Sequence, residues 1–493
     1  MLDFNIHIEM KKINYTLILF IIFCTTLNSC KKFLEKEPIG RTGKITLFET
    51  VNGAKLAING SYNQMISYYK DYFGLYADIS SDNLIRNSKT NRMLQQFNFQ
   101  SSPGDDEFAV GNIWEDIYGA INGTNNIISS IPGLKDKFPD QTKTLDSIYG
   151  QALVMRALFH FDVSRVYAQP YNFTADGSHL GVPVLLKTPS PGEVVPRKTM
   201  KEVYAQIIAD LNESLPYLQQ NANHHTQAAI TYQAALGLLS RVYLYKGDWA
   251  QSVSYANMVI NDNAYELANA NNYKSSFITY PVATASPKVE VIFQLNNATL
   301  SASALDVFSM FSDATAAQYT ATTKILNMYD EDDIRFKTMF TKPKTGDNLG
   351  KSLTTKYGDG VVSPTGPLTI KILRLSELYL NRAEANWNLQ KYSEAAEDLR
   401  IISQRAHPER TITITYSSND DLYKQIANER NRELCFENHR LFDLVRRKEN
   451  LQRSADCNAT TCSLTYPNTK FVLPISIKEL EANKAMIQNP GYN

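Results

Sequence analysis

The chain has 493 residues, 43% of them hydrophobic, and 50 basic side chains balance 50 acidic ones. A chain of this size can bury one large core or two ordinary ones, and zero net charge argues against a nucleic-acid binder, which needs a basic footprint. The aromatic residues are Tyr-heavy, 28 Tyr against 3 Trp, which suits helix packing and equally the binding of polar ligands such as sugars.

At the amino end Lys11-Lys12 precede an apolar run, Tyr15 to Phe23, and Leu27-Asn28-Ser29-Cys30 follows. The run is too short to span a bilayer. A basic start, a short apolar centre and a small residue before the cut make residues 1–29 a signal peptide, with Met10 as an alternative start. Leu-Asn-Ser-Cys also resembles a bacterial lipobox, which implies lipidation of Cys30 and cleavage just before it. The alternative is a secreted protein with an incidental cysteine. Each buried methylene contributes about 0.8 kcal/mol, so several acyl chains would hold the protein on a membrane that it does not span. Residues 30–46, with Pro38 and Gly40, read as an irregular lipidated tether.

Helix is predicted from about Thr50 to Tyr76. Tyr62, Ile66, Tyr69, Phe73 and Tyr76 recur at spacings of four and three and form a core stripe. Tyr68 and Tyr72 lie off it and are expected to meet solvent or ligand. From Asp78 to Gly111 the pattern dissolves, leaving Asp82, Asn83, Arg86, Asn87, Asn91 and Arg92 to offer hydrogen-bonding groups to a polyhydroxylated ligand. A loop of this length is either a binding loop or a passive surface connector.

Ile113 to Ser130 and Thr144 to Tyr167 predict a helical hairpin broken at Pro132-Gly133. A Pro-rich extended segment follows, and Thr199 then caps a helix carrying Val203, Ile207, Ile208 and Leu211. In Tyr232 to Ile260, Leu239 and Tyr243 sit on a first helix, Gly247-Asp248 turns, and Trp249 opens a second. Leu373 to Ala406 repeats the pattern: Tyr392 stands where Trp249 stands, and Ala395, Leu399 and Ile402 match Ser252, Ala256 and Val259. This order of aromatic, small and aliphatic residues reads as a tetratricopeptide-like repeat. One such pair cannot bury its own face, so further pairs are expected.

Between Tyr265 and Ile370 the composition shifts to short β-prone runs, such as Val289 to Leu295 and Thr369 to Leu373, among Ser/Thr/Asn/Gly loops. Only Ser303 to Ser312 and Thr322 to Tyr329 keep a helical period. This is an irregular lobe inserted between repeats, with Phe308, Phe311 and Tyr319 as candidate ligand-facing aromatics or core residues. Ile426 to Leu444 is helical, with Glu429 and Arg432, Glu437 and Arg440, and Arg440 and Asp443 spaced for ion pairs. Cys435 within it reads as a small core residue. Cys457 and Cys462 flank a polar loop and favour a disulfide in an oxidising compartment over two free thiols. A short strand to Pro474, a helix on Lys478-Glu479-Leu480 and a docked tail, Gln488 to Tyr492, close the chain.

The ordered set of motifs resembles the SusD/RagB family of outer-membrane nutrient-binding lipoproteins: CKKFLEKEP after the lipobox, IWEDIYGAINGTNNII, ALVMRALFHFDVSRVY with GVPVLL, the Trp249 repeat, LYLNRAEANWNL, ERNREL-x-FENHRLFDLVRR, and FVLP to QNPGY. The resemblance implies a mainly α fold, in one domain over residues 47–493. Helical-repeat scaffold would occupy approximately 50–262 and 370–450, the irregular lobe 265–370, and a docked segment 468–493. It also implies a surface lipoprotein of the outer membrane that delivers oligosaccharide to a SusC-like TonB-dependent transporter, the loop after the first helix meeting the ligand. On these grounds Tyr68, Tyr72, Asp82, Arg86, Asn87, Arg92, Phe308 and Tyr319 are the candidate ligand contacts. The starch-binding member carries Trp platforms in that loop; Asp82 to Phe97 has no Trp, which leaves the ligand class open.

The chain contains no nucleophile elbow, His-Glu-x-x-His helix, P-loop or dinucleotide fingerprint, so it is not expected to be an enzyme. Its histidines are scattered and read as surface or satisfied core residues. The clusters Asp105-Asp106-Glu107 and Asp330-Glu331-Asp332-Asp333 read as caps and solvated turns; a structural calcium is the one cofactor they suggest, without the EF-hand spacing. Two alternatives stay open: the same role with a peptide ligand, or a glycoside hydrolase using a carboxylate pair invisible in the sequence.

Overall fold

Helix-forming stretches and their stop signals set the architecture. The computed structural model describes residues 44–87, 92–104, 109–220, 226–278, 290–296, 306–358 and 369–492. Cys24, Cys30, the signal peptide, most of the tether, Asp105 to Glu107 and His224-His225 lie outside the described residues. The principal helices are α1 (Val51–Lys70), α2 (Tyr72–Ile79), α3 (Val110–Lys137), α4 (Thr142–Tyr167), α5 (Met200–Gln219), α6 (Tyr232–Lys246), α7 (Trp249–Ile260), α8 (Leu375–Asn388), α9 (Tyr392–Ala406), α10 (Asn419–Leu434) and α11 (Arg440–Arg446). Contacts run from α1 to α3 and then through each successive helix to α10, the order of a stack of helical hairpins.

The hairpins form where the periodicity places them. Thr50 caps α1 through the Gly53 amide, and Thr199 with Glu202 makes a capping box on α5. Gly247 ends α6 in the left-handed region, φ 82°, where a side chain would be strained, and Asp248 caps α7. Ser252, Ala256 and Val259 are buried, as are Ala395, Leu399 and Ile402. Small residues let the axes approach: Ser240 and Ser252 donate to each other's carbonyl, at 3.0 and 2.9 Å. A Cβ on Gly237 would lie 2.4 Å from Leu373.

Three boundaries differ from expectation. The first helix breaks at Asp71, so the predicted Thr50 to Tyr76 segment is two helices. Pro132 lies inside α3 and does not end it, because Ile127, Ile131 and Leu134 continue the buried stripe across it. That burial outweighs the roughly 3 kcal/mol that an interior Pro costs. The helix expected through Leu444 stops at Leu434, since Phe436 and Asn438 take positive φ. The break is held against α2: Asp78 accepts from the Phe436 and Asn438 amides, and Asn438 Oδ1 accepts from Ala77.

This break redirects the charges. Of the three predicted local ion pairs only Glu429 with Arg432 forms. Glu437 pairs with Arg374 and Lys356, Arg440 with Asp82, and Asp443 with Arg430 and Arg446. Helical spacing offered these partners, yet tertiary contacts took them. Arg241 likewise ties α6 to Glu377 of α8 at 2.6 Å, and Arg156 ties α4 to Asp210 of α5 at 2.7 Å.

The strands are short and lie in two-stranded antiparallel ribbons: β1 (Leu84–Arg86) with β3 (Tyr319–Ala321), β2 (Val291–Asn296) with β6 (Thr369–Arg374), β4 (Phe340–Thr341) with β5 (Leu353–Thr354), and β7 (Leu451–Gln452) with β8 (Ser463–Leu464). β6 leads directly into α8, so the irregular segment is sewn to the scaffold where it re-enters. The segment expected as a strand before Pro474 is a 3-10 turn, Thr469–Phe471. The tail beyond it docks as expected: Asn489 donates to the Tyr167 and Leu473 carbonyls, and Tyr492 to Val472. His160 is a satisfied core residue, accepting from the Leu185 amide through Nε2. Burial lowers its pKa to about 4.

Candidate functional site

The loop after α2 is built into a wall by pairing with chain that is distant in sequence. β1 registers Leu84, Ile85 and Arg86 against Ala321, Thr320 and Tyr319. On its other side Asn458 brackets the Arg86 backbone, accepting from its amide at 3.3 Å and donating to its carbonyl at 2.7 Å. Asn458 stands in the Cys457–Cys462 loop, which is closed by a disulfide, as expected. The 342–352 segment completes the wall, with the Ser352 carbonyl accepting from Ala321 at 2.9 Å.

These pieces enclose an open cavity of about 490 Å³, lined by Ile85, Arg86, Thr320, Thr323, Leu326, Lys342, Lys351, Asp456 and Asn458 among others. Its volume falls in the range of small-ligand sites, roughly 300–1,000 Å³. Asp456 already accepts from the Thr323 amide and hydroxyl and from Ser454. Beneath the cavity Asp82 is clamped by Arg440 at 2.7 Å and Lys324 at 2.6 Å. Burial would raise the Asp82 pKa, but those two cations hold it well below the usual carboxylate range.

Behind the wall lies Arg453, a buried guanidinium that donates to the carbonyls of Ser81, Phe97 and Thr461 at 2.8–3.0 Å. It also stacks 4.3 Å over Phe97. Burial lowers its pKa to about 10. One cation thereby ties together the turn before β1, the short helix Leu94–Asn98 and the Cys457–Cys462 loop.

Of the predicted contacts, Arg86 lines the cavity, and Asn87 is buried beside it, donating to Asn348 at 3.2 Å. Tyr72 and Arg92 are half-buried elsewhere: Arg92 lies 4.9 Å over the Tyr72 ring and 2.5 Å from Asp71. Four expectations are corrected. Tyr68 is buried, 1% exposed, because its hydroxyl and that of Tyr69 both donate to Asp162, at 2.9 and 2.8 Å. Phe308 is core. Tyr319 is buried, donating to the Arg92 carbonyl and packing edge-on to Phe97. Asp82 is an ion-pair anchor under the site and has no surface to offer a ligand. Replacing Tyr68 by Phe is expected to cost about 1–3 kcal/mol, the worth of a hydrogen bond to a buried carboxylate. Ligand affinity should stay unchanged; urea melts and binding isotherms of the same variant check both.

Lys342, Lys351, Asp456 and Asn458 carried no signal of their own. The nearest hint was the Cys457–Cys462 spacing, which marks a pinned loop without saying what it is pinned to. In the acidic cluster, Asp333 caps the helix Ile334–Met339 and grips Arg335, while Arg410 spans Asp330 and Asp332. His407 Nε2 stands 3.4 Å from Asp330. Within this second cluster Asp330, Asp332 and Asp333 are thus each paired with a guanidinium group.

Two larger cavities differ in character. One of about 690 Å³ runs along α1 and α4 and includes Lys55, Asn63 and Gln151. Another, of about 590 Å³, lies beside Trp114 and Tyr118, whose faces are buried and whose polar ends are spent on Glu479 and the Pro183 carbonyl.

Comparison with known proteins decides the lineage. Residues 254–492 match the model of the SusD family, and residues 32–244 match one described as starch-binding associating with outer membrane. The chain belongs to the SusD family. SusD-like protein P2 of Formosa agariphila is 26% identical over 533 aligned residues, covering 98% of this chain and all of that one. Among solved structures, a putative sugar binding protein from Bacteroides vulgatus superposes with TM-score 0.79 at 27% identity, over 90% of this chain and 99% of that one. A SusD superfamily protein from Bacteroides thetaiotaomicron gives 0.78 at 25% identity, over 90% and 100%. The SusD resemblance and the mainly α, repeat-based fold expected with it are borne out. No helix among the described residues is long and apolar enough to cross a membrane.

Proposed function

We propose that this SusD-family chain binds oligosaccharide in the β1–β3 cavity and passes it to a SusC-like TonB-dependent transporter, tethered to the outer membrane through a lipid on Cys30. The observation that carries the reading is the cavity itself, where three chain-distant loops are locked together on the side walls and left open between them. A rigid scaffold presenting a loop-built pocket is a binding design. The similarity to a putative sugar binding protein supports the ligand class.

Capture without turnover fits the side chains. Glycoside hydrolysis calls for two opposed carboxyl groups, and Asp456 is the one carboxylate lining this cavity among the described residues. It is engaged by three donors.

The test is a panel of oligosaccharides and peptides titrated into the purified protein, with product analysis of each mixture. Binding of a glycan without release of sugar is expected, and Arg86→Ala should weaken it while leaving the thermal midpoint in place. Peptide-only binding, or liberated sugar, would replace the reading. Cys30→Ala should release the protein from membranes, and retention of labelled fatty acid by that variant would refute the anchor.

A further inference from the structure

Resting on the reading that the β1–β3 cavity takes glycan, we propose that its ligand is an anionic oligosaccharide, one bearing carboxylate or sulfate groups.

The chain as a whole is electrically neutral, so a local excess of one sign is a property of the place where it occurs. Arg86 lines one wall of the cavity, and Lys342 and Lys351 line another. The segment that carries both lysines, residues 341–351, holds Lys342, Lys344 and Lys351 against Asp347 alone. Lys342 and Lys351 are exposed. Asp456, the carboxylate in the lining, is occupied in holding the Thr323 amide and hydroxyl. Asp82 is paired with both Lys324 and Arg440, two cations to one carboxylate. Among the described lining residues, three basic side chains thus stand against one carboxylate.

What the lining lacks points the same way. Neutral sugars are held by flat aromatic faces as well as hydrogen bonds, because a pyranose ring offers C–H groups to a π-face. The described lining contains no aromatic side chain, and its apolar floor is Ile85 and Leu326. The nearby aromatics face inward: Tyr319 and Phe97 are buried against each other. With stacking absent, affinity has to come from polar donors, here Thr320, Thr323 and Asn458, and from charge. Cations at the rim of a concave site concentrate anionic ligands and speed their capture.

Isothermal titration with three probes tests this: an oligogalacturonate, a sulfated galactan oligosaccharide and a neutral β-glucan oligosaccharide. At least one anionic probe should bind about tenfold or more tightly than the neutral one at about 50 mM salt, and the gap should close at about 500 mM. The oligogalacturonate and the sulfated probe distinguish the two sources of charge. Lys342→Gln combined with Lys351→Gln should lower that affinity about tenfold without moving Tm, since both side chains are exposed. Equal or tighter binding of the neutral probe overturns the inference and leaves glycan capture standing. Anionic binding that ignores both salt and the double variant also overturns it. Failure of every glycan, with peptides bound instead, removes the underlying reading as well.

Discussion

Arg374→Met is expected to cost about 3–5 kcal/mol of folding stability, the toll of leaving buried charges without their partner. Arg374 is 2% exposed and joins three glutamates from two distant parts of the chain: Glu290 at 2.5 Å, Glu433 at 3.0 Å and Glu437 at 2.8 Å. Arg405, Arg335 and Lys356 share those carboxylates, and Arg335 also binds Asp333 and Glu429, the latter paired with Arg432, so five cations meet five carboxylates and no single pair accounts for the cluster. Removing one cation leaves negative charge in a site that water cannot reach. Arg400→Met is the control, because its pair with Glu397 on one turn of α9 is exposed and should contribute less than about 1 kcal/mol. Urea denaturation of the two variants decides the matter, and equal losses would show that the buried cluster carries no special weight.

Acid should unfold the protein over a defined range. Burial acts to raise the pKa of Glu377 and Glu429, yet Arg241 in the first case and Arg335 in the second override it and bring both from 4.5 down to about 2. Glu384, between Arg446 and Arg447, and Asp443, beside Arg430 and Arg446, lie lower still. A carboxylate depressed in the folded state stabilises it fully above its unfolded pKa and loses that contribution as pH falls toward the folded value. His160 and His439, lowered by burial from 6.5 to about 4 and about 3, add to the loss in the same direction, starting near 6.5. Asp78 acts oppositely: burial raises it to about 7, so its contribution weakens as pH rises from about 4. The expected thermal midpoint changes modestly between about pH 7 and pH 5 and drops steeply from about 4.5 toward 2. A midpoint that stays level down to about pH 2.5 would contradict the assignment, and Glu377→Gln should flatten part of the slope.

The helical stack was legible because its signals are local. A period of three and four, Gly247 in a left-handed turn and Asp248 on the next amide all act within a few residues. Charge pairing was not, because the helical spacing of Glu437 and Arg440 says nothing of Arg374, 63 residues away, or of Asp82, 358 away. Tyr68 failed for the same reason. Counting faces on one helix cannot reveal Asp162 arriving from α4 to accept its hydroxyl. The cavity was half visible: Arg86 belongs to a polar loop long enough to attract attention, whereas Lys342, Lys351 and Asn458 become neighbours only through β1, β3 and the ring closed by Cys457 and Cys462.

The bracket that Asn458 places on Arg86 spans 372 positions. Arg453 reaches as far back, to Ser81 and Phe97. A ribosome delivers the amino half long before either clamp exists, so the nascent chain carries its rack first and its mouth last. A stop just ahead of the final forty or so residues would therefore remove both clamps from the cavity wall.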